Sequence, residues 1–101
     1  MIARIWRGTT LESKADEYLQ YLMATGLGDY RKTEGNKGVH VLRRVRDGRA
    51  EFILVSFWES LDAVRNFAGE NIERAVYYPE DEQYLLAIEP EVEHYEVLFD
   101  K

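Results

Sequence analysis

The sequence predicts an α+β fold of β-α-β-β-α-β order: a four-stranded antiparallel sheet with its helices on one face. Three features carry that expectation. "IWRGTTLESKADEY" and "FWESLDAVRNF" each run from a tryptophan-bearing strand into a helix with a start signal. "VHVLRRVRDGRAEFILVSFW" sets two strand-forming runs around Asp-Gly, a pair that accepts the positive φ of a tight hairpin turn. The length of 101 residues suits one domain, 1–101.

Each element follows in order. "IARIWRG" is rich in strand formers, with Ile2, Arg4 and Trp6 on one face and Ala3, Ile5 and Arg7 on the other. Thr9 and Glu12 have capping-box spacing, which predicts a helix start there. Leu11, Ala15, Tyr18, Leu19, Leu22 and Met23 form its apolar stripe, and Gly26 and Gly28 are stop signals before the loop "RKTEGNKG". Of the two hairpin strands, "AEFILVSFWE" is apolar on both faces, as in a central, doubly covered strand. Ser60 caps the next helix, with Leu61, Val64, Phe67 and Ala68 inward and Gly69 ending it. "NIERAVYY" is expected to make about two helical turns. Pro79 suits the first turn of a further helix, which Glu80, Asp81 and Glu82 favour electrostatically and Tyr84, Leu85 and Ile88 pack down. "EVEHYEVLF" alternates as the fourth strand. The order is that of the ferredoxin-like split βαβ.

Composition narrows the function. The apolar fraction of 46% and charged fraction of 32% are those of an ordinary globular chain. No apolar run approaches the roughly 20 residues of a membrane span, and the N-terminus has no signal-peptide pattern, so a cytoplasmic protein without a membrane partner is expected. Cysteine is absent, which excludes thiolate metal sites and cysteine nucleophiles; with only two histidines, no metal site is expected. A net charge of −6 argues against nucleic acid. The charge is uneven: residues 31–49 hold seven basic and two acidic side chains, residues 70–96 nine acidic and one basic. These are either two solvated surfaces or complementary segments of a two-fold dimer. Helices on one face leave the other sheet face apolar and uncovered, and a homodimer joining two sheets would cover it.

"IARIWRG", "FILVSFWESLDAVRNFAGENIERAVYYPEDEQYL" and "VEHYEVL" resemble the antibiotic biosynthesis monooxygenase family over nearly the whole chain. The resemblance implies a dimeric α+β barrel with a ligand pocket between sheet and helices. It implies either cofactor-free oxygenation of a small aromatic, polyketide-like substrate or, in another branch, oxidative haem degradation. The haem-degrading branch uses an asparagine on the first strand, a tryptophan on the second helix and a histidine ten residues later. The expected equivalents here are Arg7, Phe67 and Tyr77, all changed in identity. On that ground no cofactor is expected. A non-catalytic dimeric ligand-binding or stress-associated protein is the alternative.

For direct oxygenation, a base and an oxyanion stabiliser are needed. Arg7 could hold a phenolate or enolate, Tyr77 could donate a hydrogen bond, and His40 could act as base. Phe67, Trp58 and Tyr78 could line the substrate pocket. Each residue also has a purely structural alternative: Arg7 pairing with a surface carboxylate, the tyrosines packing ring inward, His40 exposed on a strand, Trp58 and Phe67 in the core or a dimer interface.

Overall fold

The computed structural model describes residues Met1–Asp100. Strand β1 spans Ile2–Leu11 and leads through a 3-10 turn, Glu12–Lys14, into helix α1, Ala15–Ala24. Helix α2 is Gly26–Lys32, β2 is Asn36–Arg46 and β3 is Arg49–Trp58. Helix α3, Leu61–Ala68, is followed by the short α4, Asp81–Tyr84, and by β4, Glu93–Glu96. All pairings are antiparallel, and the spatial order is β2-β3-β1-β4. This is the predicted ferredoxin-like α+β arrangement, with β3, apolar on both faces, inside the sheet.

Asp47 and Gly48 join β2 to β3 with φ of 55° and 74°. Both central residues thus take the left-handed conformation that matches the twist of a tight hairpin. Ser60 caps α3 as expected, its hydroxyl accepting from the Ala63 N–H at 3.2 Å.

Several local expectations are corrected. Thr9 and Thr10 belong to β1, which runs to Leu11, so no Thr9–Glu12 capping box forms and Leu11 is exposed. The ladder to β3 continues to Leu11–Arg49 and uses the backbone groups a cap would have needed. Met23 and Ile88 are exposed rather than packed. Gly26 and Gly28 begin a helix instead of ending one. "NIERAVYY" is not helical. Its backbone pairs with the approach to β4: Ala75 N–H donates to Pro90 at 2.9 Å, and Val92 N–H to Glu73 at 2.8 Å. The fourth strand is only Glu93–Glu96, and Leu98 and Phe99 lie beyond it, exposed.

The core sits between the sheet and α1–α3. β3 sends Ala50, Phe52, Leu54, Ser56 and Trp58 to the helix side, each 3% exposed or less. Register places Arg4, Trp6, Gly8 and Thr10 of β1 on that side and Ala3, Ile5, Arg7 and Thr9 on the other.

Candidate functional site

The helix side of the sheet holds an aromatic-lined cavity. Its walls include Trp6 from β1, Tyr18 from α1, Tyr30 from α2, Phe67 from α3, and Tyr78 and Asp81 around α4. The enclosed space is about 20 Å³, roughly the room of one water. Phe67 and Tyr78 separate it from an outer hollow of about 380 Å³, lined also by Asp29, Lys32 and Asn66. That volume is within the size range of small-molecule sites, about 300–1,000 Å³, as are a hollow of about 490 Å³ beside Arg7 and Arg44 and one of about 360 Å³ beside Tyr77 and Pro79. Tyr78 lines both spaces, and its hydroxyl donates to Asp29 of α2.

The walls are built by ring packing. Tyr30 stacks on Phe67 with centroids 4.4 Å apart and an interplanar angle of 22°. Trp58 lies behind them, 5.5 Å from Phe67 and 6.0 Å from Tyr30. Gly8 makes room for the Trp6 ring, which a Cβ at that position would overlap.

Polar groups inside this wall are few and constrained. Tyr18 is fully buried, and its hydroxyl has no hydrogen-bond partner among the described residues. Burial, and then the charge of Asp81, push its phenol up. Asp81 is 4% exposed and accepts from the Tyr78 N–H at 2.6 Å. Burial raises its carboxyl, and that hydrogen bond partly offsets the rise.

Arg4 is the residue that sequence reasoning missed as a site candidate. It is 1% exposed, has no carboxylate partner among the described residues, and its Nε is unbonded. Its guanidinium donates to the carbonyls of Ile72 at 2.5 Å and Arg74 at 3.1 Å. It also lies 5.7 Å from the Phe67 ring centroid, a cation–π contact. Burial lowers the Arg4 pKa, with Tyr30 opposing. His94 Nε2 is 3.1 Å from an Arg4 nitrogen. Arginine can only donate, so His94 accepts there and carries its proton on Nδ1. The available signal was the alternation of β1, which places Arg4 with Trp6.

The other candidates divide by sheet face. Phe67 and Tyr78 line the cavity. Trp58 is buried behind it, its indole donating to Ser56 Oγ at 2.9 Å. Tyr77 is half-buried beside the cavity; its hydroxyl accepts from Trp6 Nε1 at 3.3 Å and donates to the Glu89 carbonyl. Arg7 and His40 are corrections. Both project from the outer face, because the pleat turns every odd position of β1 away from the helices and pairs His40 with Val55. Arg7 is ion-paired with Glu93, and His40 stands edge-on to Phe57 at 5.8 Å. Neither can hold or deprotonate a ligand in the helix-side cavity.

No protein-family profile and no curated protein matches the chain. Solved structures do match it. A Bacillus cereus protein named as a candidate antibiotic biosynthesis monooxygenase aligns with a TM-score of 0.66 and 23% identity, over 99% of this chain and 95% of that one. The chain has an antibiotic biosynthesis monooxygenase-like fold. The haem degrader MhuD from Mycobacterium tuberculosis, with two haems in its active site, aligns at TM-score 0.62 and 19% identity, over 100% and 99% of the two chains. An MhuD mutant with two manganese protoporphyrins IX per active site aligns at 0.61 and 20%, over 100% and 98%. The expectation of no cofactor is therefore corrected: MhuD, which aligns over the full length of this chain, holds two haems or two manganese protoporphyrins in its active site, and changed identities at three positions do not exclude that class of ligand. In this chain the cavity lining combines the aromatic rings of Trp6, Tyr30 and Phe67 with oxygen-bearing Tyr18, Tyr78 and Asp81, and it includes no imidazole. None of its helices is long and apolar enough to cross a membrane, among the described residues.

Proposed function

We propose that this chain binds a planar aromatic molecule between its sheet and helices and acts on it as an oxygenase of the antibiotic biosynthesis monooxygenase type. The observation that carries the reading is the aromatic-walled cavity backed by an outer hollow, with buried polar groups in an otherwise apolar wall. Phe67, Tyr30 and Trp6 supply stacking faces, and Trp58 holds Phe67 and Tyr30 in place. Arg4 fixes the 72–74 segment and places positive charge behind the Phe67 ring, which favours electron-rich or anionic ligands. Tyr78 lines both the cavity and the hollow, and a ligand that displaced its ring from Asp29 would join them.

A porphyrin is one ligand of this class, and the porphyrin-holding fold neighbours make it the first to test. When bound, haem would supply the redox centre for oxygen activation, while Phe67, Tyr30 and Trp6 would hold its ring. An electron-rich hydroxyaromatic is the second.

The outer sheet face belongs to the same reading. Ile5, Ile53, Val55, Phe57, Leu42 and Tyr95 form an apolar centre there, with Arg7, Arg44, Glu51 and Glu93 at its rim. A second copy supplies both the apolar area and the opposite charges such a face needs. A homodimer is therefore the proposed assembly.

Haemin titration and oxygen uptake test the proposal together. A saturable Soret shift, weakened about tenfold in Phe67→Ala, supports a ring held on that side chain. Oxygen uptake with haemin plus reductant, or with 1,8-dihydroxyanthrone, separates the two ligand classes. Saturable binding of neither compound would refute the reading.

A further inference from the structure

We propose that Tyr18 and Asp81 form a hydroxyl-recognition site at the closed end of the cavity, selecting aromatic ligands that carry a phenolic or enolic OH. The inference deepens the proposed function and rests on its reading of the cavity. Two independent observations support it. The Tyr18 hydroxyl is a donor with no partner, on a fully buried side chain that lines the cavity. Asp81, 4% exposed, lines the same cavity. One of its oxygens accepts from the Tyr78 N–H at 2.6 Å, and the other has no hydrogen bond among the described residues.

An unbonded buried hydroxyl is unfavourable, since its desolvation is not repaid within the fold. The second Asp81 oxygen, by contrast, is not sealed from solvent, so the Tyr18 hydroxyl is the group of the pair left unsatisfied. A single ligand hydroxyl serves both groups: its oxygen accepts from Tyr18, and its hydrogen is donated to Asp81 in place of water. A ligand without that hydroxyl satisfies neither, and an ether oxygen satisfies Tyr18 alone. Sites built to bond a hydroxyl discriminate strongly against analogues lacking it, because their own polar groups are then left unpaired.

Three fluorescent probes of one ring system test this: naphthalene, 2-methoxynaphthalene and 2-naphthol. The wild-type protein is expected to bind 2-naphthol about tenfold more tightly than 2-methoxynaphthalene, and naphthalene most weakly. Tyr18→Phe should lose about tenfold for 2-naphthol and nothing for naphthalene, while its Tm rises by about 4–8 °C because the unpaired hydroxyl is gone. Asp81→Asn keeps an acceptor for the Tyr78 N–H and should abolish the preference of 2-naphthol over 2-methoxynaphthalene. Equal wild-type affinity for the three probes overturns the hydroxyl site while leaving the aromatic cavity standing. So does an unchanged 2-naphthol affinity in a folded Tyr18→Phe protein, whose hydroxyl would then serve only to hold a water. Failure of all three probes and of haemin to bind overturns the cavity reading and this inference with it.

Discussion

Arg4 shows how far a single side chain can organise this molecule. A buried guanidinium without a carboxylate is costly, and here backbone carbonyls, an aromatic face and one imidazole compensate it. The arrangement requires His94 to stay neutral, since an imidazolium would oppose Arg4 across 3.1 Å. Burial, and then the Arg4 charge, lower the His94 pKa below its ordinary value near 6.5. The sign follows from proton linkage. The unfolded chain binds the proton more readily, so stability is full above about pH 6.5 and is lost as pH falls toward the folded value. Asp81 works in the opposite direction at lower pH, because its raised carboxyl takes up a proton more readily in the fold. His94→Gln keeps an acceptor for Arg4 and removes the titration. Between pH 7.5 and 5.5, the wild-type Tm is expected to fall by more than that of His94→Gln; parallel curves would contradict the account. The alternation of β1 already put Arg4 beside Trp6 and Arg7 on the opposite face. What alternation alone leaves open is which face the helices cover, and so Arg7 and His40 were expected in the pocket while Arg4 was not.

At the scale of elements, the strands and α3 were legible because their signals are local. Asp47-Gly48 fixes the hairpin and Ser60 fixes the start of α3, each through backbone geometry that the residue itself provides. The misread segments are those where tertiary contacts outweigh propensity. Two glycines in α2 cost about 1 kcal/mol each relative to alanine. The Tyr30 ring, stacked on Phe67 and packed near Trp58, supplies burial that offsets that cost. Helical propensity in residues 72–78 likewise yields to pairing with residues 90–92 and to the two Arg4 bonds. No local pattern announces either outcome, yet both segments carry walls of the candidate site. The local nature of the α3 cap has a direct consequence. Ser60→Ala should cost about 1 kcal/mol, seen as a Tm lower by about 4–8 °C, whereas Ser60→Asp should stay near wild type because a carboxylate both caps and meets the helix dipole favourably. A Tm for Ser60→Ala equal to that of the wild type would remove the cap from the account of how α3 begins.

For the whole molecule, the sheet divides two tasks. Its helix face closes the core and the cavity, and its outer face leaves Ile5, Ile53, Val55 and Phe57 only half covered, with Leu42 and Tyr95 exposed. The rim residues Arg7 and Arg44 are already bonded to Glu93 and Glu51 within the chain, so their net contribution to pairing two copies is small and screened by salt. In the proposed homodimer the apolar centre would then dominate. Charge segregation along the chain, which suggested basic-to-acidic contacts between copies, would in such a dimer set orientation more than strength. Val55→Asp places an unpaired carboxylate in the middle of that centre, opposite Ile5 and His40. It should weaken dimerisation by on the order of 3 kcal/mol, more than a hundredfold in Kd, and give monomers by sedimentation at micromolar concentration. Raising the salt from 0.1 to 1 M should leave the wild-type dimer intact, since screening removes the rim contribution and spares the apolar one. A wild-type protein that sediments as a monomer would sink the homodimer, and a dimer that salt dissolves would move its driving force from the apolar centre to the rim.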